Sequence, residues 1–345
     1  MSQSSETITP PAHVSLAGER KFARPTARQW LLHALLFLIT AGTTTICGIM
    51  MAGPNIDQVP ETGGGAGLIG VLFTIPRYYL SAIWGLLSYS FAHPYFLGQG
   101  LIFSCSLLAI LTAHESGHYL FCRYYGVDAT LPFFIPQPPL LIPGTFGAFI
   151  KMKSPVPSRR ALFDIGLAGP LAGFILIVPI AFAGVLTVHH VPLMAGEAAE
   201  AGGITFNDPL LFRLIARAFH VDLNNSAVNS FYLAAWVGSL VTALNLMPVG
   251  QLDGGHGTFA LFGQRAHWWI GRLAFLLMLI TTVVGWLWYS SPMMFLYVVL
   301  LAVMLRVRHP QPERMEPLGL SRTIIGVITL IVFALCFLPF PISLS

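Results

Sequence analysis

Of the 345 residues, 55% are hydrophobic and only 9% charged, and the mean hydropathy is +0.73, whereas soluble domains carry about a quarter charged residues. That balance excludes a string of soluble domains and also intrinsic disorder, which needs low hydrophobicity and high net charge. Cys47, Cys105, Cys122 and Cys336 lie far apart with no CxxC, which excludes a disulfide scaffold and fits small buried hydrophobes. The net charge is +4, and the 18 basic residues form no dense stripe suited to nucleic acid. The composition therefore predicts an all-α polytopic membrane protein whose surroundings are a lipid bilayer.

The first 29 residues are polar, rich in Ser, Thr and Pro, and carry Arg20, Lys21, Arg24 and Arg28. They read as a cytosolic tail ahead of an uncleaved anchor. Crossing a hydrocarbon core of about 30 Å takes roughly 20 apolar residues. That ruler predicts spans at residues 30–52, 96–119, 162–188, 231–247, 268–288 and 324–340, with 293–305 as a short return leg after Ser291-Pro292. Residues 72–92 are apolar enough to span but contain Pro76, Arg77 and the Tyr78-Tyr79 pair. If they do not span, every basic residue except Arg77, Arg213 and Arg217 falls on one side, which the positive-inside rule favours. The expected topology is then seven spans, with the N-terminus in the cytosol, 72–92 lying on or dipping into the outer face, and the C-terminus outside.

Two loops stand out. Residues 209–220, within the long loop 189–229, suit a surface helix. Residues 128–153 carry Pro132, Pro136, Pro138, Pro139 and Pro143, which forbid a helix, and end in GTFGAFIKMK. This predicts a short β hairpin or edge strand at the cytosolic membrane face. The chain divides into a tail (1–29), a first span with an extracytosolic or re-entrant segment (30–95), a core (96–262) and C-terminal helices (263–345).

The chemistry begins at AILTAHESGHYLF. His114 and His118, four residues apart, share one helix face and can share one zinc ion, while Glu115 between them can reach a water on that ion. Ionisable groups inside a span are costly and functional by default. A hydrolytic zinc site wants a third protein ligand and an open position. The other acidic residue near the end of a well-formed span is Asp253, in NLMPVGQLDGGHG, where Pro248, Gly250, Gly254 and Gly255 break the helix. The expected topology puts Asp253 at the end of the fourth span, on the same side as His114 and His118.

HESGH in a span, GTFGAF in the following loop, LAGPLAG in the next span and NLMPVGQLDGGH after it resemble, in that order, the site-2 protease family of intramembrane zinc metalloproteases. The resemblance covers about half the chain. It is nearest to the bacterial and plastid branch without an inserted PDZ domain, which places the chain in a bacterial inner membrane. It implies one Zn²⁺ per chain on His114, His118 and Asp253, with Glu115 as general base, and cleavage of membrane-anchored proteins near the cytosolic side in regulated intramembrane proteolysis. Asn245 matches the family's asparagine and would hydrogen-bond the substrate backbone or the oxyanion, or else bond between helices. Some members have Asn where this chain has Gly173. A metal transporter using the same ligands, or a catalytically silent scaffold, are the rival readings. The first leaves Glu115 unexplained, and the second leaves all four positions filled with competent residues for no purpose.

The strand at 144–150 answers a separate need, because a peptide bond in a helix is shielded until the helix unwinds. An open strand edge could hold the substrate through main-chain bonds, with Gly144 and Gly147 allowing close approach and Phe146 contacting the substrate or packing on lipid. Gly166, Gly169 and Gly173 suit close helix packing or the shaping of a cavity. His256 could support the ligands or substitute for one, and Asp164 suits a helix cap near Arg159 and Arg160 or, less readily, the orienting of a histidine. His33, His267 and His309, with no partner pattern, read as interfacial or surface residues.

Overall fold

The computed structural model describes residues 25–53, 68–190, 204–223, 226–289, 291, 294–307 and 309–344. Most of the expected tail, and the middle of the loop at 189–229, lie outside these residues. The elements in order are α1 (Ala27–Met51), α2 (Leu68–Ala92), α3 (Pro94–Tyr124), β1 (Phe133–Pro136), β2 (Thr145–Phe149), α4 (Arg159–Leu186), β3 (His189–His190), β4 (Ile204–Phe206), α5 (Leu210–Phe219), β5 (Ser226–Ala227), α6 (Ser230–Asn245), α7 (Asp253–Tyr289), α8 (Met294–Met304), α9 (Leu320–Cys336) and β6 (Ile342–Leu344). Each expected span has its helix. By length and composition α1, α3, α4 and α7 suffice to cross a membrane, while α6, α8 and α9 are shorter apolar helices.

Helix starts follow local capping chemistry. Thr26 opens α1 in a capping box with Gln29, Ser158 accepts from the Ala161 N–H at the start of α4, and Asn229 accepts from Tyr232 at the start of α6. Asp164, expected as a cap, is not one. Its carboxylate binds Arg322 of α9 at 2.6 Å and accepts from the Tyr125 hydroxyl. The segment 72–92 belongs to one continuous helix, α2, which runs through Pro76 and is separated from α3 by His93 alone.

Helix α3 is the central post. It meets α1 through Thr44 and Ser104, whose hydroxyls lie 2.7 Å apart, and it packs most extensively on α4. The core of α3, α4, α5 and α6 includes fully buried Phe103, Phe212, Tyr232 and Trp236, and a second cluster around Phe163 and Phe259 joins α4 to α7. The exterior is apolar: Leu273, Leu277, Trp286 and Leu287 of α7 and Ile324, Leu330 and Ile331 of α9 are exposed, as a lipid-facing surface requires. Cys47, Cys122 and Cys336 are buried and unpaired, while Cys105 is exposed.

Strands β1 and β2 form an antiparallel hairpin with Phe133 opposite Phe149. It descends along α1 instead of resting across the end of the bundle. His33 Nδ1 is 2.9 Å from the Pro132 carbonyl, Phe37 meets Phe134 edge-on, and Thr43 donates to the Gly144 carbonyl at 2.7 Å. From His33 to Thr43 is about 15 Å of helix. The Tyr79 hydroxyl of α2 reaches the Pro139 carbonyl in the hairpin loop. Two further small pairings, β3 with β5 and β4 with β6, were not legible in the sequence; the second ties the chain beyond α9 to the segment before α5.

Helix α7 differs from expectation. It begins at Asp253, ten residues before a break at Gly263 (φ 79°, ψ 176°), and Arg159 ends this first segment by donating to the carbonyls of Ala260 and Leu261. Asp253 therefore opens a helix after the tight turn that follows α6, and does not close the fourth span. A side chain at Gly254 would overlap the Leu246 carbonyl at 1.9 Å, so this turn folds directly against its own helix start.

Candidate metal centre

Helix α3 carries His114, Glu115 and His118, all buried, and the start of α7 brings Asp253 to them. Asp253 Oδ2 lies 3.2 Å from His114 Nε2 and 3.3 Å from His118 Nε2, and the two nitrogens are 3.1 Å apart. Three donors bound at 2.0–2.2 Å to one tetrahedral ion would be separated by about 3.3 Å, so the triangle matches a zinc face. The His118 Nδ1–H donates to the Ile165 carbonyl at 2.7 Å, which leaves Nε2 with the lone pair that a ligand needs. Two imidazole nitrogens and one carboxylate oxygen are a donor set that hydrolytic zinc sites use. The residues present therefore fit zinc.

Helix α4 sets the depth of the site. A Cβ on Gly169 would stand 2.1 Å from His118 Nε2, and one on Gly117 would stand 2.4 Å from the Ala168 carbonyl. The small residues of LAGPLAG thus allow close helix packing and shape the metal centre as well. At Gly173 a Cβ would meet His114 at an ordinary 3.4 Å.

A cavity of about 430 Å³ opens on these groups, within the range of small-molecule and peptide sites. Its lining includes His114, Glu115, His118, Asn245, Asp253 and His256 from the helices and Ala148 to Met152 from the end of β2 and the residues that follow it. The Ile150 main-chain amide faces the Glu115 carboxylate. Asn245 Nδ2 lies 3.3 Å from His114 Nε2. Of the expected strand residues, Gly144 packs on α1, with Thr43 O 2.7 Å from where its Cβ would be. Gly147 faces open space, Phe146 is exposed, and none of the three lines the cavity.

Residues 102–281 match the description "Peptidase family M50". The chain belongs to peptidase family M50. This bears out the resemblance to the site-2 proteases and makes the chain a polytopic membrane protein with a zinc-binding group. Among curated relatives of this M50 chain, the "probable zinc metalloprotease EGY1, chloroplastic" of rice is 35% identical over 187 residues, 53% of this chain and 32% of the rice protein. The Arabidopsis protein of the same name is 33% identical over 242 residues, 69% of this chain and 41% of that one. The Arabidopsis "probable zinc metalloprotease EGY2, chloroplastic" is 30% identical over 218 residues, 61% and 38% respectively. The M50 chain thus spans about a third to two fifths of the length of these relatives. No solved structure matches it.

Sequence reasoning missed a second histidine group. His256, behind Asp253, bonds His309 at 2.8 Å, and His309 stacks flat on Phe259 with ring centres 4.2 Å apart. His267 lies beside them, 5.2 Å from His309 and bonded to Thr258. His267 is therefore buried and not a surface residue, and His309 is half-buried against it. They are separated along the chain by α8, so no spacing could have revealed them. Among the described residues, the donor atoms within 4.8 Å of one another are those of His114, His118 and Asp253, without His256.

Proposed function

We propose that the chain is an intramembrane zinc endopeptidase that hydrolyses peptide bonds of membrane-anchored proteins. The observation that carries this reading is the shared cavity: the three-donor triangle, Glu115 and the end of β2 all line it. When bound to His114, His118 and Asp253, zinc supplies a Lewis acid and brings the pKa of a coordinated water to about 7. Glu115, held beside the donors by the same helical turn, takes the proton of the attacking water on its carboxylate and returns it to the leaving amine nitrogen. The peptide C–N bond breaks as the new C–O bond forms. Asn245 directs its amide N–H toward the substrate carbonyl from the wall nearest His114.

Among the described residues β2 has no strand partner on its second edge. An unwound substrate segment added there pairs its backbone with β2, which offsets the cost of exposing amides within a membrane. The apolar exterior supports a single-span protein as the substrate class. The distribution of basic residues supports placing the metal centre near the cytosolic face, with α1 entering from the cytosol and α6, α8 and α9 completing seven spans. Resemblance to the bacterial and plastid branch supports a multi-pass location in a bacterial or plastid membrane and a role in regulated intramembrane proteolysis; the relatives above are named chloroplastic.

The test compares purified wild type with Glu115→Gln for zinc content and for cleavage of a panel of single-span substrates. Equal zinc with cleavage reduced roughly 10²–10⁴-fold is expected. Metal flux through either protein that ignores Glu115, with no cleavage by wild type, would overturn the reading in favour of a transporter. Zinc without cleavage or flux would favour a silent scaffold.

A further inference from the structure

The hydrogen-bond pattern behind Asp253 fixes the chemistry of a cavity wall. His309 follows α8, and its Nδ1 lies 2.8 Å from the Pro310 carbonyl. A carbonyl only accepts, so this nitrogen carries the proton. Burial and the neighbouring histidines hold His309 far below the ordinary imidazole value, at about 3, so the ring is neutral. Its Nε2 is therefore a lone pair, and the 2.8 Å contact with His256 must be a donation from His256 Nδ1–H. That leaves the lone pair of a neutral His256 on Nε2. Among the described residues this atom has no hydrogen-bond partner, nor is it one of the sealed, unsatisfied atoms. His256 is among the residues that line the cavity, while its nitrogens lie outside the three-donor group.

An extended peptide presents main-chain groups on both edges, with successive residues pointing to opposite sides. A segment docked on β2 would satisfy one edge only. The N–H groups of the other edge would face the opposite wall, where each one left unpaired away from water is costly. The helical part of the lining, which includes His256, offers them an acceptor. Resting on the protease reading above, we propose that His256 is a substrate-binding residue whose Nε2 accepts a main-chain N–H from the substrate edge facing away from β2, with His309 as the positioning residue that fixes its tautomer.

Two substitutions separate the two nitrogens of His256. His256→Asn keeps a polar atom near the Nδ1 position but nothing at Nε2, whereas His256→Gln reaches the Nε2 position. With a purified single-span substrate, His256→Asn is expected to keep wild-type zinc content and raise KM about tenfold with kcat within about threefold, and His256→Gln to restore KM. His309→Phe, which keeps the stack on Phe259 but removes the acceptor, is expected to raise KM by a smaller factor. A second measurement needs no variant: each amide of the recognised substrate segment is replaced in turn by an ester, which removes one N–H. Wild type should lose affinity at alternate positions facing β2 and at one position of the opposite parity, and His256→Asn should be indifferent at that last position alone.

Wild-type KM in His256→Asn, loss of its zinc, or ester sensitivity confined to one parity would each overturn the role of His256 while leaving the protease reading intact. Failure of wild type to cleave any substrate would instead count against the protease reading.

Discussion

At the scale of single residues, the metal centre depends as much on an absent side chain as on its ligands. Gly169 leaves the space in which His118 turns Nε2 toward Asp253, and a methyl group there would stand 2.1 Å from that nitrogen. The contact is with an imidazole pinned by its bond to Ile165 and unable to yield like the end of a flexible chain. Gly169→Ala is therefore expected to lower zinc occupancy at least tenfold, measured by metal analysis of the purified protein, whereas Gly173→Ala, meeting His114 at 3.4 Å, should keep its zinc. The shared face of His114 and His118 was legible in the sequence because a helix places i and i+4 together whatever surrounds it. A packing or cavity-shaping role for Gly169 was legible too, but not that it stands against His118, which arises from the approach of α4 to α3. His256 and His309 were hidden for the same reason: their meeting depends on how the chain returns after α8.

At the scale of elements, the hairpin is the part whose presence was legible but whose position was not. Five prolines and the run GTFGAF mark an extended segment between α3 and α4. Nothing local says that it lies alongside α1. The contact is made at Gly144, with φ at +82°, whose carbonyl accepts from Thr43 and whose missing Cβ leaves room for the Thr43 carbonyl at 2.7 Å. Gly144→Ala combines strain in the left-handed region with this overlap. The substitution should push the hairpin tip off α1 and shift Ala148 to Met152 across the cavity. Cleavage of single-span substrates is expected to fall about tenfold or more with zinc content unchanged, since no metal donor comes from the hairpin. Loss of zinc in this variant would show that the strand supports the metal centre itself.

At the scale of the whole molecule, the segment beyond the family match braces the face that carries the site. Residues 102–281 bring the donors, Glu115 and β2, yet the chain after α8 returns to that face and fastens it. The Arg159 N–H donates to the Arg314 carbonyl, Arg160 donates to the Pro317 carbonyl, and His309 holds His256. The strongest tie is Arg322 of α9, which grips Asp164 of α4 with Nε at 2.9 Å and Nη2 at 2.6 Å, while Tyr125 at the end of α3 donates to the same carboxylate. This fork joins three helices at one point. Removing only the cation would leave Asp164, whose side chain is 10% exposed, without its partner. Breaking a buried pair in this way costs about 3 kcal/mol, whereas replacing both charges by neutral groups costs much less. Arg322→Met is accordingly expected to lower the apparent Tm in detergent by several degrees, and Arg322→Met combined with Asp164→Asn to recover most of the loss. If the double variant were as unstable as Arg322→Met, the tie would owe its strength to the packing of the arginine stem and not to charge, and α9 would be held to α3 and α4 chiefly through the apolar cluster that includes Phe163, Val332 and Cys336.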